Sequence, residues 1–146
     1  MNTTTKVIIF VVIVVVVALG VFLSRNNNTA TAYQDYQIIE MSQAPEQIQN
    51  KYQHTKVRTG FYTYNDDNTT YLLINRGQVN TGGHTIEIKE ILKSKDEWTV
   101  KVDFIPPGPG EFVTQAIAYP AIVVEIPEKV EDIKVIADGK QLQQFK

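Results

Sequence analysis

The chain has 146 residues, with 14 basic and 16 acidic side chains and no cysteine. A formal net charge of −2 at pH 7 excludes the strongly basic surface that nucleic acid demands. The missing cysteine excludes disulfide staples, lipid attachment through a Cys and thiolate catalysis.

The first element is the apolar run Val7 to Leu23, 17 residues without a charged or strongly polar side chain, bracketed by Lys6 and Arg25. In a bilayer such a run must be helical, because lipid offers the backbone no hydrogen-bond partners. At about 1.5 Å per residue it spans roughly 25 Å, slightly short of a ~30 Å hydrocarbon core. Snorkelling of Lys6 and Arg25 and local thinning close that gap. The reading is an N-terminal membrane anchor or signal-anchor over residues 1–25. The alternative is a cleaved signal peptide, with Ala30-Thr31-Ala32 as the better cleavage candidate and Ala18-Leu19-Gly20 inside the run as a second. The α-amino group and Lys6 before the run, against Arg25 after it, place the N-terminus in the cytoplasm and the rest outside. The expected location is therefore the cell membrane, single-pass, with the C-terminal domain extracytoplasmic.

Removing Lys6 and Arg25 leaves 12 basic residues against 16 acidic ones, which argues against docking on anionic lipid as well as on nucleic acid. The roughly 120 residues after Arg25 suffice for one core and are too few for two. A cysteine-free exported domain points to a bacterial envelope. Residues 26–32 read as a polar linker and 33–146 as one β-rich domain.

Tyr36 to Met41 has strand length. Pro45, with Ile48 and Tyr52 at i and i+4, predicts one short amphipathic helix over 44–53. From there the signals are almost all β. Thr59–Tyr64 and Thr70–Asn75 flank the turn Asn65-Asp66-Asp67-Asn68. Gly77 and then Gly82-Gly83 mark a second break. Thr85–Leu92 and Trp98–Phe104 form the clearest hairpin, with Trp98, Val100, Val102 and Phe104 inward and Thr99, Lys101 and Asp103 outward. Pro106 to Gly110 reads as an extended, stiff loop, unable to cradle phosphate because three of its five residues lack an N–H. Phe112–Ala118 fits a helical turn or a strand. Ala121–Ile126 is a buried strand. Lys134–Ala137 and Gln141–Phe145 flank Asp138-Gly139, the pair favoured in a two-residue type I′ hairpin. Seven or eight strands and one helix make a mainly β fold (α+β minor): an antiparallel β-sandwich or open barrel with one short helix, preceded by an N-terminal transmembrane helix.

Several pieces stand in a telling order: Leu72-Leu73-Ile74-Asn75 with Gly77, Thr81-Gly82-Gly83 before Ile86-Glu87-Ile88, the Pro106–Gly110 loop, and Gln115 leading to Tyr119-Pro120 and Val123-Val124-Glu125-Ile126-Pro127. Together, over about residues 59–127, they resemble the C-terminal domain of the protease complex subunit PrcB family. His84 departs from the family pattern, which usually has an aromatic such as Tyr there. The resemblance implies a subunit that associates with and stabilises a secreted or surface protease. That family's subunit is lipid-anchored, whereas this chain offers a peptide anchor instead.

No catalytic constellation is legible. His54 and His84 stand 30 residues apart, and the three serines, Ser24, Ser42 and Ser94, lack a nucleophile-elbow setting. Asp66-Asp67 lacks the spaced ligands of a calcium loop, and no metal or cofactor set is visible. The expected function is a membrane-anchored, non-catalytic domain that binds a protein partner. Its candidate surface is Thr81, Gly82, Gly83 and His84 with Pro106, Pro107, Gly108, Pro109 and Gly110. These two loops adjoin one hairpin and should meet at one end of its sheet. Thr-Gly-Gly is either a tight structural corner or a peptide-contacting turn. The rival function is a cell-wall glycan or small-ligand module built on Tyr33, Tyr36, Phe61, Tyr62, Tyr64, Tyr71 and Tyr119. A flat aromatic platform would favour glycan. An apolar patch or a free strand edge beside Gly82-Gly83 would favour protein.

Overall fold

The computed structural model describes residues 29–146. The apolar run Val7–Leu23 lies outside the described residues, among which no helix is long and apolar enough to cross a membrane.

The folded unit is Thr31–Lys146. Its strands are β1 (Thr31–Ala32), β2 (Gln37–Ile39), β3 (Gly60–Asp66), β4 (Thr69–Asn75), β5 (Thr85–Lys93), β6 (Trp98–Ile105), β7 (Ala121–Ile126), β8 (Ile133–Ala137) and β9 (Lys140–Gln141). The helix α1 (Glu46–Thr55) follows a 3-10 turn at Met41–Gln43. Sheet A has the order β1-β5-β6-β8-β9 and sheet B the order β2-β7-β4-β3. The two sheets pack face to face without forming a closed barrel.

The consecutive apolar residues of β4 and β7 explain the layering. In a strand, neighbours point to opposite faces, so a run such as Leu72-Leu73-Ile74 requires cover on both sides. Leu72, Ile74, Val124 and Ile126 enter the core between the sheets, with Val100, Val102 and Val135. Leu73 and Val123 face outward and are covered by Ala44 and Ile48 of the 3-10 turn and α1. The spacing of Ile48 and Tyr52 therefore marks the helix face that meets sheet B.

The β5–β6 hairpin has the expected inward set. Trp98, Val100 and Val102 are buried, while Phe104 is only half-buried because it stands at the open end of the sheet. Thr99, Lys101 and Asp103 are outward but half-buried, since salt bridges run across this face from Lys89 to Asp103 (3.5 Å) and from Lys101 to Glu90 (2.6 Å). The pairing steps from Ile88–Val102 to Glu90–Lys101, which leaves Lys89 as a bulge. The extra residue rephases the strand, so that Ile91 can point inward with Ile86 and Ile88.

Four details differ from the sequence reading. The folded unit begins at Thr31 rather than 33, because Thr31 and Ala32 pair with Lys93 and Leu92. β8 pairs parallel with β6, so the sandwich is not wholly antiparallel. The chain crosses from sheet B through residues 127–132 and re-enters sheet A beside β6 in the same direction. Asp138 and Gly139 adopt φ of 49° and 77°, as a type I′ turn needs, but the hairpin stops at Gln141. Residues 143–145 then cross to β3, where Phe145 donates its N–H to the Phe61 carbonyl at 2.7 Å. The Phe145 ring is buried where a Cβ on Gly60 would stand 2.6 Å from its Cζ, so only glycine admits it. Finally, residues 112–117 form neither helix nor strand.

Candidate functional site

The strand directions define two ends. At one, call it the Gly82 end, β4, β6 and β8 finish and β5 and β7 begin. Two irregular segments cross it, 76–84 from sheet B to sheet A and 106–120 back again. They pair with each other. Arg76 N–H donates to the Pro120 carbonyl (2.9 Å), Val79 and Ala118 exchange both bonds (2.9 and 3.0 Å), and Gly82 N–H donates to the Thr114 carbonyl (2.9 Å).

The two expected loops do meet, and the structural role of Thr-Gly-Gly is visible. A Cβ on Gly82 would collide with Thr114 Oγ1. A Cβ on Gly83, whose φ is +80°, would stand 2.7 Å from Val113 Cγ1 and 3.1 Å from Pro107 Cβ. Gly83 is therefore a close-approach position with a left-handed backbone, where a larger residue would push the segments apart, whereas at Gly82 the Thr114 hydroxyl alone would have to turn aside. Thr81 and His84 are half-buried beside them, with Thr81 Oγ1 3.4 Å from His84 Nε2. His84 Nδ1 is enclosed and has no hydrogen-bond partner.

The proline segment is not extended throughout. Pro106 is exposed, and Pro107 and Gly108 are half-buried. Pro109 and Gly110 then form the centre of a turn closed by Glu111 N–H to the Gly108 carbonyl (3.2 Å). Gly110 has φ +82° and nothing within 4 Å of a notional Cβ, the geometry of a Pro-Gly type II turn projecting into solvent.

The sequence reading missed what this turn presents. Phe112, the next residue but one after Gly110, is fully exposed, Ile117 is 57% exposed and Ile105 is 37% exposed. These large apolar side chains belong to one segment of a domain whose other hydrophobics are mostly covered. The available signal was Phe112 and Ile117 within a stretch that lacks both a period of 2 and a period of 3.6. Beside the segment, a shallow cleft of about 480 Å³ is lined by Thr59, Arg76, Val79, Phe104, Asp138 and Leu142. The Arg76 guanidinium lies 5.3 Å from the Phe104 ring centroid, and the Asp138 carboxylate accepts the Phe104 N–H at 3.1 Å.

The tyrosines are distributed otherwise than a single platform would require. Tyr33 and Tyr36 pack against the core between the sheets. Tyr62, Tyr64 and Tyr71 lie half-buried on the outer face of sheet B beside α1, with Tyr64 and Tyr71 directly opposite each other. Burial first, then the nearby Glu125 carboxylate, raises the Tyr71 phenol above its usual range. Among the described residues no group of three or more His, Asp or Glu is placed to hold a metal ion.

Residues 70–127 match the family described as PrcB C-terminal, which bears out the resemblance read from the sequence. The match runs from β4 to the end of β7 and takes in both crossing segments. The chain is also similar to an uncharacterized protein of Methanocaldococcus jannaschii, with 34% identity over 67 residues. That stretch is 46% of this chain and spans 40% of the relative's length. No solved structure matches the chain significantly.

Proposed function

We propose that Thr31–Lys146, carrying the PrcB C-terminal stretch at its centre, is a non-catalytic domain that binds a protein partner at its Gly82 end. Val7–Leu23 holds it at the outer face of the cell membrane, and a secreted or surface protease is the partner that the family resemblance implies. The observation that carries this reading is Phe112: a fully exposed aromatic, on a segment fixed to Gly82 and Gly83 by close contact. An exposed aromatic on a well-held segment provides a binding anchor at low ordering cost. A second support is the point of entry of the chain. Thr31 pairs with Lys93 at the far end of β5, so the chain enters the folded unit at the end opposite Gly82.

The test is crosslinking capture from intact membranes with Phe112→Ser. Capture should fall about tenfold or more while the melting temperature barely moves, as expected for an anchor residue that supports no core. Unchanged capture rejects the reading. Anchoring is tested separately by carbonate extraction, which should leave the full-length protein with membranes. Recovery in the supernatant as a species starting near Tyr33 would favour the cleaved-signal alternative.

The cross-strand pair Tyr64–Tyr71 favours one second reading, a glycan laid across the outer face of sheet B. Binding of soluble cell-wall glycan fragments that is lost in Tyr64→Ala would support it.

A further inference from the structure

β5 has nine residues, and its two sides are unequally used. On one side β6 pairs with it along its whole length. On the other, β1 covers only Leu92 and Lys93, and Tyr33 N–H adds one bond to the Ile91 carbonyl (2.8 Å). Among the described residues nothing pairs with the backbone of Thr85–Glu90 on that side. In a strand, residues sharing a face also aim their amide groups to the same side. Ile91 points inward and its carbonyl faces β1, so the inward Ile86 and Ile88 present their backbone groups to the free side.

Two side chains describe what is missing there. Ile38 pairs with Val124, which pairs with Leu72, and both of these are core residues between the sheets. Ile38 therefore lies on the same inner face, at the edge strand of sheet B, yet it is 55% exposed. On the outer face, Glu87 stands directly opposite Asp103, a like-charge pair. Lys89 is paired with Asp103 and Lys101 with Glu90, so among the described residues Glu87 is the member of the pair without a cation. Like charges directly opposed weaken a sheet, and a cation on the free side of Glu87 would offset this.

We propose that the edge Thr85–Ile88 accepts an extended segment of a protein partner as an added strand. That segment sets a basic side chain against Glu87 and an apolar one toward Ile38. The proposal deepens the protein-binding reading above and rests on it, since this edge begins beside Gly82 and Gly83. Main-chain bonds would give affinity and the alternating side chains specificity. The bulge at Lys89 ends the regular ladder, so it limits the added strand to a few residues and blocks indefinite edge-to-edge assembly.

The test uses full-length protein in detergent and two capped probe peptides, acetyl-Thr-Val-Lys-Val-Thr-amide and its counterpart with Glu for Lys. With the Lys peptide, hydrogen exchange at the Ile86 and Ile88 amides should slow at least tenfold, with no change along β8. In Glu87→Lys the preference should invert, the Glu peptide binding at least tenfold better than the Lys peptide. Ile38→Lys, at an exposed position, should weaken both peptides without lowering the melting temperature. Unchanged exchange at saturating peptide, or a preference that does not invert, overturns the proposal. So does protection that grows with protein concentration in the absence of peptide, which would assign the edge to a second copy of the chain. In membrane capture, loss with Phe112→Ser but not with Glu87→Lys or Ile38→Lys overturns the strand proposal alone. Retention in all three overturns the binding reading as well.

Discussion

The two ends of the sandwich solve the same problem in opposite ways. At the Trp98 end, where β5 turns into β6 and the chain enters, large side chains fasten the crossings alongside backbone bonds such as that from the Trp98 N–H to the Asp132 carbonyl (2.9 Å). Tyr33 meets Trp98 edge to face at 4.7 Å, Lys93 lies over both rings, and Lys93 is ion-paired with Glu128. The buried Thr70 hydroxyl lies 2.7 Å from Asn65 Oδ1 and 2.8 Å from the Glu128 carbonyl, and accepts the Val130 N–H at 2.8 Å. At the Gly82 end the crossings are held mainly by backbone bonds and close approach at the glycines, with the Tyr52 hydroxyl donating to the Tyr119 carbonyl (2.9 Å), and Phe112 and Ile117 are left facing water. One end spends its large side chains on stability. The other holds its backbone with glycines and displays its apolar groups, as a binding surface requires.

Trp98→Ala should produce the largest effect, destabilising by about 3–5 kcal/mol, because it removes a buried indole and frees Tyr33. Denaturant unfolding measures it. A loss below about 1 kcal/mol would mean the Trp98 end is not the stabilising one. Thr70→Val should cost about 1–3 kcal/mol, since the Val130 N–H and its neighbours lose their partner while the volume is kept. At the other end, Gly83→Ala should cost about 1–3 kcal/mol, by straining a φ of +80° and overpacking against Val113 and Pro107. Adding Val113→Ala should recover only the overpacking part, and a Gly83→Ala variant as stable as the parent would show that the crossing is not held by this contact.

A pH titration separates the ends more gently. Burial, with the Glu128 and Asp35 carboxylates adding, raises the Tyr33 phenol above its usual range near 10. The neutral form is thus favoured by folding. Its stabilising contribution is complete below pH 10 and is lost as pH rises through the raised folded value. Phenolate absorbance should show Tyr33 ionising late, and exchange at β1 amides should accelerate in that window before the Gly82 end changes. Tyr33→Phe should remove this component. The smallest stability effect belongs to Phe112→Ser, within about 0.5 kcal/mol of the parent, despite the loss of a whole phenyl ring. A larger cost would show that Phe112 is packed, and would merge the two ends into one kind of structure.

Local chemistry made much of this legible. The alternation of β6, the β4 and β7 runs, the helix face of Ile48 and Tyr52 and the Asp138-Gly139 turn are short-range patterns, set by strand and helix periodicity and by φ > 0. The meeting of the Thr-Gly-Gly and proline loops followed from one hairpin, since antiparallel pairing places the start of β5 beside the end of β6. Each of these needs only residues near in sequence, or one pairing already assigned.

Other features depend on groups that the sequence keeps far apart. Phe145 seals β3 because Gly60, 85 positions earlier, leaves room for its ring. Thr70 is buried because the chain returns 60 residues later to give it the Val130 N–H. The free side of β5, the exposure of Ile38 and the display of Phe112 come from which strands close each sheet and which do not. A sequence determines what a side chain prefers to contact through its polarity, shape and backbone freedom. Whether that contact is supplied depends on segments brought together only by folding, and here the tertiary structure supplied it to Trp98 and withheld it from Phe112.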